Sequence, residues 1–544
     1  MVDHGLTEDT FDEDFDVLIA GSGAAACSAA VAASISGART AVFERADALG
    51  GTTALSGAGA WIPNNSMMRA NGLDDPREKA LLFMASMSYP HLFDPTNTTL
   101  GLPIDAYELL ETYYDKGSEA IDWLVAHDAA EFYSDVSGPD YHVEHPHNVA
   151  PYGRLVRPVE STPQAMAAGH RAGPALIDRM MSLAQRNGAQ VRTNHRVMSV
   201  IRNSKGECVG AEVRYGRTTI LARARKGIIF GTGGFLHDER LRREFLMGPT
   251  YGGCATPGSQ GDFVRIGGEV GAQLANMKHA WWYQIALEHV LDSSQTAGGL
   301  FMPFGDSMIQ VNRYGQRVTN EKGPYNERGP VHFAWDGREY RNLVLFEIYD
   351  DHVANDPNPI GVRFPTPMPG ESVKYVISGN TLEDLVANIS IRLKELQGHT
   401  GGIQLHSEFL SNLRSTIDRF DGFARRGIDE DFGRGSFELR PTWVGIPRPD
   451  TKATMHPFDS KGPYHCILLV AGALDTKGGP KINTLSQVLD VYDKPIPGLY
   501  GAGNCIASPA GQGYWGPGVT IGSALTFGWI AGMNAAIEPS KDLD

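Results

Sequence analysis

The sequence predicts an α/β protein: a doubly wound domain built from the two ends of the chain, with an α+β domain inserted between them. Three observations predict it. First, a short apolar run at 15–20 (FDVLIA) leads through a Gly-rich turn into a small-residue helix, and a second apolar run at 39–44 (RTAVFE) completes a βαβ unit. Second, apolar runs that end in glycines return at 226–231 and again from 464 onward. Third, between about 287 and 463 prolines, aromatics and charges increase while Gly-rich turns thin out. The expected division is 1–286 and 464–544 for the outer domain and 287–463 for the insert.

Composition excludes several classes. The chain has 544 residues, 42% hydrophobic and 20% charged, an ordinary globular balance. Glycine is aperiodic at 63 residues, above the usual roughly 7%, which excludes collagen and favours turns that approach a ligand closely. A net charge of −15 argues against nucleic acid or an anionic membrane surface as partner. Cys27, Cys208, Cys254, Cys466 and Cys505 never form a C-x-x-C, so a disulfide framework, a zinc ribbon and a redox pair are not expected. The N-terminus is acidic and carries no basic, apolar signal, so a short solvated tail and a cytoplasmic location are expected. The segment 518–537 holds no charge over the length of a bilayer crossing. Its four glycines, its Thr520, Ser523, Thr526 and Asn534, and the lack of a basic flank favour a buried helix over a membrane span.

The elements follow in order. After the strand at 15–20, a helix is expected over about 24–35, then the strand at 39–44. The stretches 106–127 and 174–187 read as helices, the second with proline at its tolerated first position. The stretches 191–200, 208–215 and 218–224 read as strands of a small β-rich insert, and 226–231 as a separate buried strand.

The first turn, Gly21-Ser22-Gly23-Ala24-Ala25-Ala26, is G-x-G-x-x-A between a strand and a helix. Gly21 permits the tight turn, Gly23 lets the backbone approach a pyrophosphate, and Ala26 allows close helix–strand packing. The helix N-terminus adds N–H donors and a positive dipole end. Glu44 ends the second strand, placed to accept hydrogen bonds from a ribose. The runs Gly50-Gly51-Thr52-Thr53 and Ser56-Gly57-Ala58-Gly59 come next, a cradle longer than a simple nicotinamide fold needs. Gly231-Thr232-Gly233-Gly234 closes a later strand, and Gly498-Leu499-Tyr500-Gly501-Ala502-Gly503-Asn504 follows another.

On these motifs the chain resembles the FAD-dependent fumarate reductase/succinate dehydrogenase flavoprotein superfamily, over almost its whole length and in the same order. The resemblance implies a doubly wound, Rossmann-like FAD-binding domain with an inserted catalytic domain. It implies FAD contacts at Gly21, Gly23, Ala24, Ala25, Glu44, Arg45, Gly51, Thr52, Thr53, Ser56, Gly57, Thr232, Gly233, Gly503, Asn504, Gly518, Thr520 and Ile521. No histidine stands beside 50–53, where covalent members attach flavin, so noncovalent FAD is expected. The helix opening at 518–521 would point its N-terminus at the flavin pyrimidine and favour hydride acceptance.

The insert decides the reaction. Its 311–321 stretch (VNRYGQRVTNE) resembles the N-x-x-G-x-R-F-x-N-E of the superfamily. Fumarate reductases carry a proton-donating arginine four residues after that glutamate. Here Tyr325 stands there, and N-E-x-x-x-Y resembles the 3-ketosteroid Δ1-dehydrogenase branch. Tyr514 and Gly518 match the Tyr-x-x-x-Gly of that branch, whose hydroxyl and N–H bind the substrate ketone. Asp140-Tyr141 resembles the D-Y that supplies a helper tyrosine, with Tyr133 as the alternative. The chain departs from the branch in Trp515 and Pro517, where small residues are usual. Gly516 stands where Δ4-dehydrogenases carry serine, which argues against that chemistry. Trp281, Trp282 and Tyr283 are bulky enough to narrow a pocket toward a smaller ring.

The resemblance implies α,β-desaturation of a saturated cyclic ketone, 3-ketosteroid 1(2)-dehydrogenation first. Tyr514 and Gly518 would polarise the carbonyl, and Tyr325, assisted by Tyr141, would take the α-proton while flavin N5 accepts hydride. A phenol ionises near pH 10, so this base needs assistance. A smaller, cyclohexanone-type ring, fumarate reductase-like reduction and a flavin-binding redox sensor are the alternatives. The electron acceptor is unidentified, a quinone being one candidate. His142, Glu144, His145 and His147 have metal-ligand types, but loop histidines beside prolines with no second ligand set do not predict a metal. Arg154 and Arg157 could bind a carboxylate, though solvated surface positions are expected. Cys27 reads as a packing residue.

Overall fold

The computed structural model describes residues 6–296, 303–357, 363–436 and 454–544. The first sheet runs in the order Gln487–Leu489, Pro495–Gly501, Thr218–Phe230, Glu13–Ala20, Thr40–Phe43, Gln190–Arg192. Its central pairs are parallel, Leu18 lying opposite both Ala41 and Ile228. Parallel strands are covered on both faces, and Val17, Leu18, Ile19, Ala41 and Val42 are fully buried, as a continuous apolar run requires.

One expectation changes here. The stretches 218–224 and 226–231 form a single strand, Thr218–Phe230, because no turn residue separates them. Its first half pairs antiparallel with Cys208–Tyr215, and its second half pairs parallel with Glu13–Ala20 and Pro495–Gly501. The β-rich hairpin is therefore an extension of the main sheet.

The first helix, Ala24–Ile35, packs along Val519–Ile537. Small residues bring the two backbones together. A Cβ added at Gly528 would stand 2.3 Å from the Ala25 carbonyl oxygen, and one at Gly532 would stand 2.5 Å from that of Ala29. Ser28 Oγ donates to the Leu525 carbonyl at 2.7 Å. This packing explains the uncharged C-terminal segment: it is a core helix. Among the described residues no helix is long and apolar enough to cross a membrane. The helices Ile104–Ala126 and Ala172–Arg186 begin two residues before their expected starts.

The second sheet is antiparallel, in the order Ala280–Ala286, Tyr464–Thr476, Leu345–Asp350, Met308–Val311, with Val376–Gly379 also paired to Tyr464–Thr476. It reaches past both expected boundaries, since strands on either side of 287 and 463 belong to it. Residues 1–5 of the expected tail lie outside the described residues, and Glu8–Thr10 form a short 3-10 turn.

Candidate active site

Three tyrosines from three distant stretches meet in the core. The Tyr325 hydroxyl donates to that of Tyr514 at 2.7 Å. The Tyr141 ring lies edge-on to Tyr325, centroids 5.4 Å apart, and parallel to Tyr514 at 5.8 Å. The phenols of Tyr141 and Tyr325 also hydrogen-bond. All three side chains are buried. Burial, joined by the neighbouring phenols, pushes Tyr325 well above the usual phenol range, and burial with the Tyr514 phenol does the same for Tyr141 while the Tyr325 hydroxyl pulls against it. Burial raises Tyr514 too, but the Tyr325 hydroxyl, the Gly518 N–H and the Thr520 hydroxyl pull against it. Of the two helper candidates, Tyr141 lies in this cluster, whereas the half-buried Tyr133 hydroxyl faces Ser161 at 3.4 Å.

Each tyrosine is held by its own surroundings. Tyr325 opens a one-turn helix, Tyr325–Arg328, after the Glu321 loop. Glu321 is an anchor: fully buried, it accepts from Arg317 at 2.8 and 2.9 Å, from Arg434 at 3.3 Å and from the Gln310 N–H at 3.2 Å. Burial pushes its carboxyl up, and the two guanidiniums outweigh that and hold it below the usual range. The short helix docks on Ala280–Ala286 through Asn326, whose Oδ1 accepts from the Trp282 N–H at 2.9 Å.

Tyr141 follows Asp140, which belongs to a buried ion-pair network. Arg154 is fully buried, contacts both oxygens of Asp75 at 2.7 and 2.8 Å, and reaches Asp140 at 3.1 Å and Asn148 at 2.8 Å. This overturns the surface expectation for Arg154. Its charge is matched by carboxylates, so burial is tolerated. Arg157 is half-buried and pairs with Asp135 at 2.6 Å. The two line a cavity of about 130 Å³ with Asp140, Leu155 and Pro517.

Tyr514 is flanked by Trp281, edge-on at 5.4 Å. Lys477, fully buried, lies 4.0 Å over the Trp281 ring and donates to the Gln512 and Gly513 carbonyls just before Tyr514, at 3.0 and 2.6 Å. Among the described contacts of these three bulky residues, Trp281 meets the phenols, Trp282 packs on Phe333, and the Tyr283 hydroxyl faces Thr296. Trp515 packs at a tilt against Trp61 and Tyr113 and donates to Ser88 at 2.9 Å. At Gly516 a Cβ would stand 2.3 Å from Trp61 Nε1, so a serine there has no room. Gly518 has φ +94°, and its Cβ would stand 2.5 Å from the Gly59 carbonyl oxygen.

The dinucleotide cradle shows two kinds of glycine. Gly21 has φ +97°, and a Cβ would lie 2.5 Å from the Gly231 carbonyl oxygen, so the turn itself demands glycine. Gly23 has ordinary backbone, φ −72°, and a Cβ would meet nothing closer than Thr53 Oγ1 at 3.6 Å. At Gly51 and Gly57 nothing lies within 4 Å. Side-chain packing does not require glycine at these three positions, although the left-handed backbone of Gly51, φ +48°, favours it, and the room beside all three fits a bound group. Thr53 Oγ1 accepts from the Ala24 N–H at 3.1 Å, and Thr52 Oγ1 from the Thr256 N–H at 3.0 Å. Glu44 is buried and accepts from Ser22 Oγ at 2.6 Å and the Ala46 N–H at 2.7 Å, one bond on each oxygen, which leaves lone pairs for a ribose. Arg45 faces the protein instead, donating to the Gly258 carbonyl and Gln260. Ser56 Oγ donates to the Thr53 carbonyl. The Thr232 hydroxyl is buried, Gly233 packs on Ser259, and Gly503 packs on Ala25. Asn504 accepts from Trp281 Nε1 at 2.9 Å, tying this cradle to the phenols.

The FAD binding domain family matches residues 16–521. The chain belongs to this family. FAD is its cofactor, and the room beside Gly23, Gly51 and Gly57 fits that group. The chain is 28% identical to 4-oxocyclohexanecarboxylate 2-dehydrogenase of Sinomonas cyclohexanicum, over 96% of its own length and 93% of that protein. It is also 28% identical to 3-oxosteroid 1-dehydrogenase of Mycolicibacterium smegmatis, over 96% and 97%. Among solved structures it resembles 3-ketosteroid Δ1-dehydrogenase of Sterolibacterium denitrificans in complex with 1,4-androstadiene-3,17-dione. The TM-score is 0.81 at 25% identity, covering 96% of this chain and 99% of that one.

His142, Glu144, His145 and His147 form no metal cluster among the described residues. Cys27 is buried, and burial pushes its thiol up, away from nucleophilic use. Sequence reasoning missed Lys477 and Asn326, and Trp281 was not separable from its neighbours. Their contacts cross from one chain segment to another and carry no local signal.

Proposed function

We propose that the protein is an FAD-dependent dehydrogenase that introduces an α,β-double bond into a saturated cyclic ketone, a 3-ketosteroid first. The observation that carries this reading is the buried phenol cluster of Tyr325, Tyr141 and Tyr514 at the start of the Gly518 helix. Tyr514 O–H and Gly518 N–H donate to the ketone oxygen and stabilise the negative charge that develops there. Tyr325 takes the α-proton. Burial raises its ionisation and keeps it protonated at rest, so it accepts the α-proton as its own proton passes along the 2.7 Å bond to Tyr514 and the Tyr514 proton passes to the ketone oxygen, leaving each phenol with one proton. Tyr141 and Tyr514 are both within hydrogen-bond reach for that transfer. Bound FAD, held noncovalently at the cradle, supplies the hydride acceptor.

The same chemistry on a smaller ring is the second reading, favoured by Trp281 beside Tyr514 and by the likeness to the 4-oxocyclohexanecarboxylate enzyme. Anaerobic stopped-flow absorbance with a 3-ketosteroid, its 3-hydroxy counterpart and 4-oxocyclohexanecarboxylate tests both. Bleaching by a ketone but not by the alcohol is expected, because a hydroxyl cannot acidify the neighbouring C–H. Bleaching by the small ketone alone shifts the substrate, and rapid reoxidation by fumarate overturns the mechanism. Acid precipitation should release free FAD; flavin retained in the pellet overturns noncovalent binding.

A further inference from the structure

Hydrogen bonds among the phenols cannot by themselves set the three backbones that carry them. One side chain outside the cluster touches all three stretches. His142 directly follows Tyr141, its Nε2 lies 3.1 Å from the Tyr514 carbonyl oxygen, and its Nδ1 lies 3.2 Å from Glu327 Oε1 on the Tyr325–Arg328 helix. The imidazole is buried, and the His142 carbonyl accepts from Asn148 Nδ2 at 3.0 Å. We propose that His142 is a positioning residue, a bridge closed by one proton that sets the spacing of Tyr141, Tyr325 and Tyr514. What the phenols do rests on the desaturase reading; the bridge does not.

The proton count follows from donor and acceptor types. A carbonyl oxygen only accepts, so Nε2 carries the hydrogen. Nδ1 and a carboxylate would then be two acceptors facing each other, unless one more proton lies between them. Burial pushes the imidazole down; the protein around Glu327 pushes its carboxyl up, with Arg328 pulling against it and water at the exposed side of the carboxyl weakening the shift. Both directions favour a neutral imidazole that accepts from a carboxylic acid. Glu144 faces the ring and favours its charged form, and His145 lies on the same loop. The Glu327 side chain is 55% exposed, so solvent exchanges protons with the pair. A raised carboxyl holds its proton at low pH and gives it up as pH rises. The bridge is therefore complete at low pH and opens on the alkaline side.

Three variants test it. His142→Phe removes both contacts. His142→Gln keeps a donor toward Tyr514 and an acceptor toward Glu327. Glu327→Gln faces Nδ1 with a permanent N–H. In single-turnover flavin reduction by a ring ketone, His142→Phe should slow the rate by about 10², the cost of an ångström-scale misplacement, with ketone binding nearly unchanged. His142→Gln should recover most of that loss, and Glu327→Gln should keep the rate while losing the alkaline decline of the wild type. A crystal structure of the His142→Phe holoenzyme should show the Tyr325 and Tyr514 hydroxyls beyond about 3.5 Å. A wild-type rate, or the hydrogen bond intact in that crystal, overturns the bridge. Equal losses in His142→Phe and His142→Gln that track melting temperature overturn it too, because they mark simple packing. Should His142→Phe fail to fold, an unchanged alkaline decline in Glu327→Gln overturns it. If no ring ketone reduces the wild type, the functional reading fails, and the crystal distance still decides the bridge.

Discussion

Replacing Tyr325 with phenylalanine separates catalysis from architecture. The ring stays, so its packing against Tyr141 and Tyr514 is kept; one buried hydroxyl goes, along with its 2.7 Å bond to Tyr514. Tyr514 is not orphaned, because the Gly518 N–H and the Thr520 hydroxyl remain beside its oxygen. One such bond contributes about 0.5–1.5 kcal/mol to stability. Domains are typically stable by about 5–15 kcal/mol, so folding and FAD retention should survive. Loss of a general base costs roughly 10²–10⁴ in rate, about 2.7–5.5 kcal/mol in the barrier. The kinetic effect should therefore exceed the stability effect several-fold. The assay is stopped-flow flavin absorbance after mixing with a ring ketone, beside a thermal melt of the same sample. Tyr133→Phe serves as the control, since its hydroxyl faces Ser161. Flavin reduction at the wild-type rate in Tyr325→Phe would falsify the assignment of the base.

Four further outcomes are expected. Tyr514→Phe should lower the maximal rate by roughly 10²–10³ while weakening ketone binding less, since its bond strengthens as the enolate forms; saturation kinetics under single turnover read both. Gly23→Ala should weaken FAD in a titration without lowering the melting temperature of the apoprotein, whereas Gly21→Ala should fail to fold, because only the latter Cβ meets backbone. Arg154→Leu should destabilise the protein by about 3–5 kcal/mol in denaturant titration, because Asp75 and Asp140 are left buried without their cation. Tyr325 and Tyr141 keep their protons above pH 10 when folded, while unfolded phenols ionise near 10. The folded state then binds more protons, so stability should fall as pH rises past about 10 in denaturant titrations across that range.

The parts of the site that were legible in the sequence are those whose chemistry is local. G-x-G-x-x-A between a strand and a helix carries its reason within six residues, and Glu44 sits at the strand end that the βαβ unit fixes. Tyr325, Tyr514 and Gly518 were legible through short motifs that match a family. What holds them was not. The Tyr514 carbonyl meets His142 across 372 residues, and Arg154 meets Asp75 across 79. No spacing encodes either contact. His142 stood in a run whose residue types suggested a metal, and Arg154 stood in a stretch whose polarity suggested the surface. Both are explained only by a partner brought in from another chain segment. The hairpin was misplaced for the same reason. Propensity identified its strands, but the parallel pairing with Glu13–Ala20 that joins them to the main sheet is long-range.

The 515–517 departure shows what this means for substrate size. From sequence, Trp515 and Pro517 threaten to fill the space between Tyr514 and Gly518. In the fold, Trp515 turns into the first domain, where Ser88 accepts its N–H, and Pro517 lines the small cavity beside Arg157. The bulky residue that does flank Tyr514 is Trp281, from a strand of the second sheet, held by Asn504 on one side and the Lys477 amine on the other. The buried Lys477 amine, with two carbonyl acceptors and an aromatic face, fixes that ring firmly. On the proposed reading, Trp281 with its clamp, rather than the Tyr-x-x-x-Gly motif, would set ring size at the ketone site. A chain can keep the motif of a steroid enzyme and still be shaped for a smaller ring.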